Sequence, residues 1–158
     1  MTEFLDSLDL AVDRLLGRLP GPLHIGAPLG IGKPHRLLNT LYGRIERDPS
    51  RSLHLYTALS LDPPDGGSDL EKRFLGPFVS RHFGDDFQKL DYVQAQKRDA
   101  LPANITVEEF YLQSGALLNS SQAQRHYASL DYTHVARARG DRGVDCIVQK
   151  VAVNVDGT

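Results

Sequence analysis

Apolar residues at Leu5, Leu8, Val12, Leu15, Leu16 and Leu19 fall on one helical face, with Asp6, Asp9, Asp13, Arg14 and Arg18 opposite. This pattern predicts a first helix that stops between Gly17 and Pro20, where glycine and proline end it. Residues 23–27 form a short apolar run and predict a buried strand. Helical spacing returns from Pro34 with Leu37, Leu38, Leu41, Tyr42 and Ile45, and Asp48-Pro49 closes it because a residue before proline disfavours helix. Residues 52–59 are rich in β-forming side chains and free of glycine and proline, the clearest strand pattern in the chain.

Strand, helix, strand in this order predicts a parallel βαβ unit with a right-handed crossover. The fold class expected is therefore α/β, an open and mainly parallel sheet flanked by helices. Ligands in such sheets bind beyond the carboxyl ends of the strands, where the loop after residue 27 and the polar turn 60–68 both emerge.

The second half is read more coarsely. Leu70, Phe74 and Phe78 give residues 69–83 helical character, which Gly76-Pro77 is expected to break or kink. A short helix is expected at 92–98. Residues 105–112 carry both a helix-start pattern and strand formers and are assigned to a strand. A helix start at Ser121, a helix at 132–139 capped by Gly140, and a final strand at 144–155 complete the order.

A chain of 158 residues, 41% hydrophobic and 24% charged, suits one soluble globular domain spanning 1–158. Eighteen basic against twenty acidic residues give a net charge of −2 without a dense basic run, which argues against a nucleic-acid partner. The acidic start lacks the basic region of a secretion signal, and no apolar run reaches the ~20 residues that cross a bilayer. A cytoplasmic protein without a membrane partner is expected. The single cysteine, Cys146, excludes an internal disulfide and reads as a small buried thiol.

The segment Leu23-His24-Ile25-Gly26-Ala27-Pro28-Leu29-Gly30-Ile31-Gly32-Lys33-Pro34 breaks from a strand into a glycine loop that feeds a helix. A Walker loop would need glycine at Ala27 and a hydroxyl at Pro34, and a dinucleotide loop would need a third glycine at His35. Nucleotide readings therefore fail at named positions. What remains is a general anion or oxyanion site at a helix N-terminus, or an ordinary turn that needs glycine for its backbone angles.

Other candidates carry less. Six histidines form no H-x-x-x-H pattern, so no metal is expected, and His24 and His54 read as structural residues within strands. Lys33 and His35 are the better substrate contacts, unless they are solvated helix-start residues. Glu108 and Glu109, as neighbours in a strand, point to opposite faces and do not make a carboxylate pair. No serine sits in a G-x-S-x-G elbow.

Four segments, residues 26–34 with Leu37-Leu38-Asn39, then Leu55-Tyr56-Thr57-Ala58-Leu59-Ser60, Arg73-Phe74-Leu75-Gly76-Pro77-Phe78 and Tyr132-Thr133-His134-Val135-Ala136-Arg137, together span most of the chain. In order and wording they resemble the N-terminal part of the acetyl-CoA hydrolase/transferase family, a branch of the class I CoA-transferases. The resemblance implies a CoA-transferase-like α/β domain in a cytoplasmic enzyme that handles acyl-CoA thioesters with no tightly bound cofactor. Its partners would be acyl-CoA, a carboxylic acid or water, and the C-terminal half of the same enzyme; a homo-oligomer is compatible.

In that family a glutamate attacks the thioester carbonyl, passing through an acyl-glutamyl anhydride to a glutamyl-CoA thioester, while backbone N–H groups stabilise the oxyanion. That glutamate belongs to the second half, so this chain is expected to be an N-terminal half or a truncated piece, inactive alone. By resemblance Gly30, Gly32, Lys33 and Pro34 would shape one side of the acyl-CoA cleft. Two other readings stay open: a non-catalytic α/β domain that binds a phosphorylated small molecule, and an interaction domain whose loop is only a turn.

Overall fold

Ser7 accepts a hydrogen bond from the Leu10 amide and starts α1 (Leu8–Arg18), whose Val12 is fully buried. The structure, a computed structural model, describes residues 3–154. Strand β1 (Leu23–Gly26), a single 3₁₀ turn (Gly30–Gly32), α2 (His35–Glu46) and β2 (Leu53–Thr57) follow in the expected order. Next come α3 (Asp69–Phe83), α4 (Asp91–Lys97), β3 (Ile105–Glu109), α5 (Ser121–His126), α6 (Tyr132–Arg142) and β4 (Cys146–Ile147).

The four strands form one parallel sheet in the order β3-β2-β1-β4, an α/β fold with helices flanking an open sheet. Register places Leu23 beside Leu53 and Leu53 beside Ile105, so alternate residues of three strands share a face. Leu23, Ile25, Leu53, Leu55, Ile105 and Val107 are all buried on that face. They join Leu38, Leu41 and Ile45 of α2 and Val93 of α4 in one hydrophobic cluster. The opposite face carries His24, Gly26, His54, Tyr56 and Glu108, and its polarity decides where the cavity lies.

Several expectations need correction. The helix α3 runs without a break through Pro77, because proline removes only one intrahelical bond and α3, with no buried residue, leaves the freed carbonyl open to water. Its start is fixed by a full capping box between Ser68 and Glu71. Strands β2 and β3 stop earlier than expected, at Thr57 and Glu109. Leu59 turns the chain with a positive φ of 38° just beyond β2.

The helix α6 passes through Gly140 and ends at Gly143, whose φ of 79° suits glycine. The largest correction concerns the last strand. Only Cys146–Ile147 pairs in the sheet, beside Ile25 and Gly26, because β1 ends at Gly26 and offers no further ladder partner; residues 151–154 are irregular and exposed, and Val155 lies outside the described residues. No described helix is long and apolar enough to cross a membrane.

Candidate functional site

The chain leaves β2 for β3 on one side of β1, then returns past β1 to place β4 on its other side. This reversal of direction is a topological switch point, where the loops leaving adjacent strands diverge and open a crevice. A cavity of about 900 Å³ lies there. Residues 26–29 leaving β1, residues 56–58 at the end of β2, Phe110 after β3, Val144 before β4 and Ile147 within it form its sheet side. Tyr132, Val135, Ala136, Arg139 and Gly140 of α6 form the other.

Those α6 residues follow the i, i+3, i+4, i+7, i+8 spacing of a single helical face. A face this small cannot close onto the sheet: Ala136 and Gly140 supply little volume, and Arg139 is the only buried residue of α6. The cavity is therefore a consequence of helix composition.

Arg139 is 8% exposed and stacks on Tyr56, its guanidinium carbon 4.7 Å from the ring centroid. Its Nη1 donates to the buried carboxylate of Glu108, which also accepts from Arg142 Nη1 at 2.6 Å. His54 Nε2 lies 3.3 Å from the same carboxylate. Burial lowers the His54 pKa and outweighs the raising influence of Glu108. Arg139 Nη2 has no hydrogen-bond partner among the described residues, a buried orphan donor that costs about 1–3 kcal/mol.

The four residues that the sequence singles out do not line the cavity. Gly30 adopts φ of 61° and is buried, and its amide donates to the Leu59 carbonyl at 3.1 Å. Gly32 accepts from the Lys150 amide at 2.8 Å, and Pro34 is the residue preceding α2. Lys33 is neither solvated nor directed into the cavity. It is wholly buried, and Nζ donates to Thr57 Oγ1, to the Ala58 carbonyl at 3.0 Å and to Ser60 Oγ at 3.1 Å.

Ser60 ties this ammonium to Glu109, because its hydroxyl donates to Glu109 Oε1. With its one proton used, Ser60 must accept from Tyr92, whose hydroxyl lies 2.7 Å away. Burial pulls the Lys33 pKa down to about 8 despite the opposing influence of Glu109. Burial likewise raises Glu109, against the influence of Lys33. The network fixes the loop from beneath, since Thr57 and Ala58 also border the cavity.

Glu108 and Glu109 are committed to these two separate networks on opposite faces of β3, as alternation along a strand requires. His35 Nδ1 pairs with the Gln88 carbonyl at 2.7 Å, and burial lowers its pKa first of all. His24 pairs with Asp145 at 3.2 Å. Cys146 is half-buried, and burial followed by Asp145 raises its thiol pKa, which disfavours the thiolate. Among the described residues no group of three metal-ligating side chains is assembled.

Sequence reading missed Arg139 and Glu108 as partners. The signal was present in the helical face 132, 135, 136, 139 and 140, where apolar and small residues accompany one arginine.

The two loop glycines differ in a testable way. Gly30→Ala is expected to lower stability by about 1 kcal/mol because its φ lies in the left-handed region. At Gly32 an added Cβ would meet Pro28 at an ordinary 3.5 Å, so Gly32→Ala should change stability by less than ~0.5 kcal/mol. Thermal melts of the two variants that shift equally would refute this assignment.

Comparison with protein-family models, curated proteins and solved structures returns no match to this chain.

Proposed function

We propose that this chain is the N-terminal domain of an acetyl-CoA hydrolase or CoA-transferase and forms one wall of an acyl-CoA cleft. The observation that carries the reading is the cavity at the switch point, bordered by residues 26–29 where the glycine loop leaves β1. Gly30, Gly32, Lys33 and Pro34 act behind that wall. The turn and the Lys33 network hold Pro28 and Leu29 in place, while the thioester lies on the far side.

Glu108 and Glu109 are both locked in internal networks and neither lines the cavity, which supports a nucleophilic glutamate supplied by another domain. Such an enzyme works in the cytoplasm and needs no tightly bound cofactor. The phosphate-binding alternative has less support, because the Gly30 and Lys33 amides already donate to the carbonyls of Leu59 and Gly30.

Calorimetry with CoA, acetyl-CoA and inorganic phosphate tests this. Binding of CoA and acetyl-CoA, without turnover when an acceptor acid is added, is the expected result. Phosphate bound as tightly as CoA would favour the alternative, and robust turnover by this chain would remove the claim that its nucleophile lies elsewhere.

A further inference from the structure

The walls of the cavity are apolar on both sides, with Pro28 and Leu29 on the sheet side, Val135 and Ala136 on α6, and Phe110 in edge contact with Tyr132, ring centroids 5.4 Å apart. The buried polar side chains at its margin are already engaged. Thr57 accepts from Lys33, and the one lining cation, Arg139, is paired with Glu108 and stacked on Tyr56. The phosphates of a CoA thioester therefore find no unpaired charge on this surface, and the part of such a ligand that suits it is the hydrocarbon of the acyl group.

The size of the cavity then bears on the size of that group. A methyl group fills the room of one water, ~30 Å³, so acetyl would leave nearly all of the 900 Å³ as water against apolar walls. Small residues hold the helix side open. Ala136 and Gly140 lie one turn apart on the lining face of α6, and a Cβ added at Gly140 would meet nothing within 4 Å. Leucine is a better helix former than glycine, yet here it would project into this space.

We infer that Ala136 and Gly140 determine acyl selectivity: they keep the cavity wide enough for a medium-length acyl chain, so that the preferred thioester is longer than acetyl-CoA. The inference rests on the acyl-CoA reading and names the substrate class of the same cleft.

Calorimetry on the full 158-residue chain with CoA, acetyl-CoA and octanoyl-CoA tests it, in wild type, Ala136→Leu and Gly140→Leu. Each methylene moved from water onto apolar walls tightens binding about fourfold, so burying two of those that octanoyl adds already exceeds a tenfold gain. Octanoyl-CoA is expected to bind wild type at least tenfold tighter than acetyl-CoA.

In each leucine variant octanoyl-CoA should weaken by about tenfold or more, while acetyl-CoA, whose acyl group is too small to fill that space, changes by less than about twofold. Circular dichroism and the melting temperature, both expected to match wild type, show that each variant is folded. Octanoyl-CoA binding no tighter than acetyl-CoA, or a preference that survives in either folded variant, would overturn the inference and leave the acyl-CoA reading standing. Failure of CoA and of both thioesters to bind would remove the reading and the inference together.

Discussion

Replacing Glu108 with alanine is expected to lower the unfolding free energy by about 3 kcal/mol, the low end of the range for breaking a buried ion pair. The carboxylate is 5% exposed and is, among the described residues, the acidic partner of Arg139, whose side chain is 10% exposed. Without it the Arg139 guanidinium stays desolvated, with the Tyr56 ring as its remaining electrostatic neighbour. Arg142 moderates the loss, because its side chain is 55% exposed and can turn to water.

For the same reason Arg142→Ala should cost less than ~1 kcal/mol. Urea unfolding followed by far-ultraviolet circular dichroism measures both, and the chain contains no tryptophan to follow instead. Equal losses in the two variants would mean that Glu108 is not the anchor of α6. Hydrogen exchange adds a spatial check, since α6 meets the polar sheet face through this cluster and its amides should exchange faster in Glu108→Ala than in wild type.

The second large effect is a rise of stability with pH. Lys33 has a pKa of about 8 in the folded chain against 10.5 ordinarily, so between these values the unfolded chain binds more protons than the folded one. Lys33 then contributes a rise in stability through that window, about 2 kcal/mol from pH 8 to pH 10. Cys146 and the tyrosines oppose the rise: burial raises the pKa of the Cys146 thiol and of Tyr42, Tyr56 and Tyr92, so these groups hold more protons in the folded chain from about pH 9 upward.

Lys33→Met should remove this contribution, so that wild type gains about 2 kcal/mol relative to the variant between pH 8 and pH 10. Combined with Glu109→Gln it should show a coupling of about 2 kcal/mol, since the two groups meet through Ser60. Parallel wild-type and Lys33→Met profiles between pH 8 and pH 10 would show that the lysine remains charged without penalty.

Much of the element order could be read from the chain because periodicity is a local property. The spacing of Leu38, Leu41, Tyr42 and Ile45 forms a buried helix face, and residues 53–57 pair as the central strand their composition suggests. Errors gathered where a single residue was given too much authority. Pro77 did not stop α3, Gly140 did not end α6, and the apolar run at 144–155 yielded two paired residues. Surroundings decided two of these: a solvent-facing helix tolerates a missing bond, and β4 finds ladder partners only as far as β1 extends, to Gly26.

The site shows the same division. Lys33 was conspicuous beside two glycines, yet its sequence neighbours could not reveal that Thr57, Ser60 and Tyr92 would surround it with acceptors. Arg139 was inconspicuous within a polar helix, and gained its place only when α6 crossed the face that carries Glu108 and Tyr56.

By itself the sequence determined that this is an α/β chain with a glycine turn leaving its first strand, because helical and strand periods and turn chemistry depend on near neighbours. Tertiary structure alone decided the strand order, the cavity at its reversal and the partners of Lys33 and Arg139. Those depend on residues dozens of positions apart, whose meeting is set by packing the whole sheet.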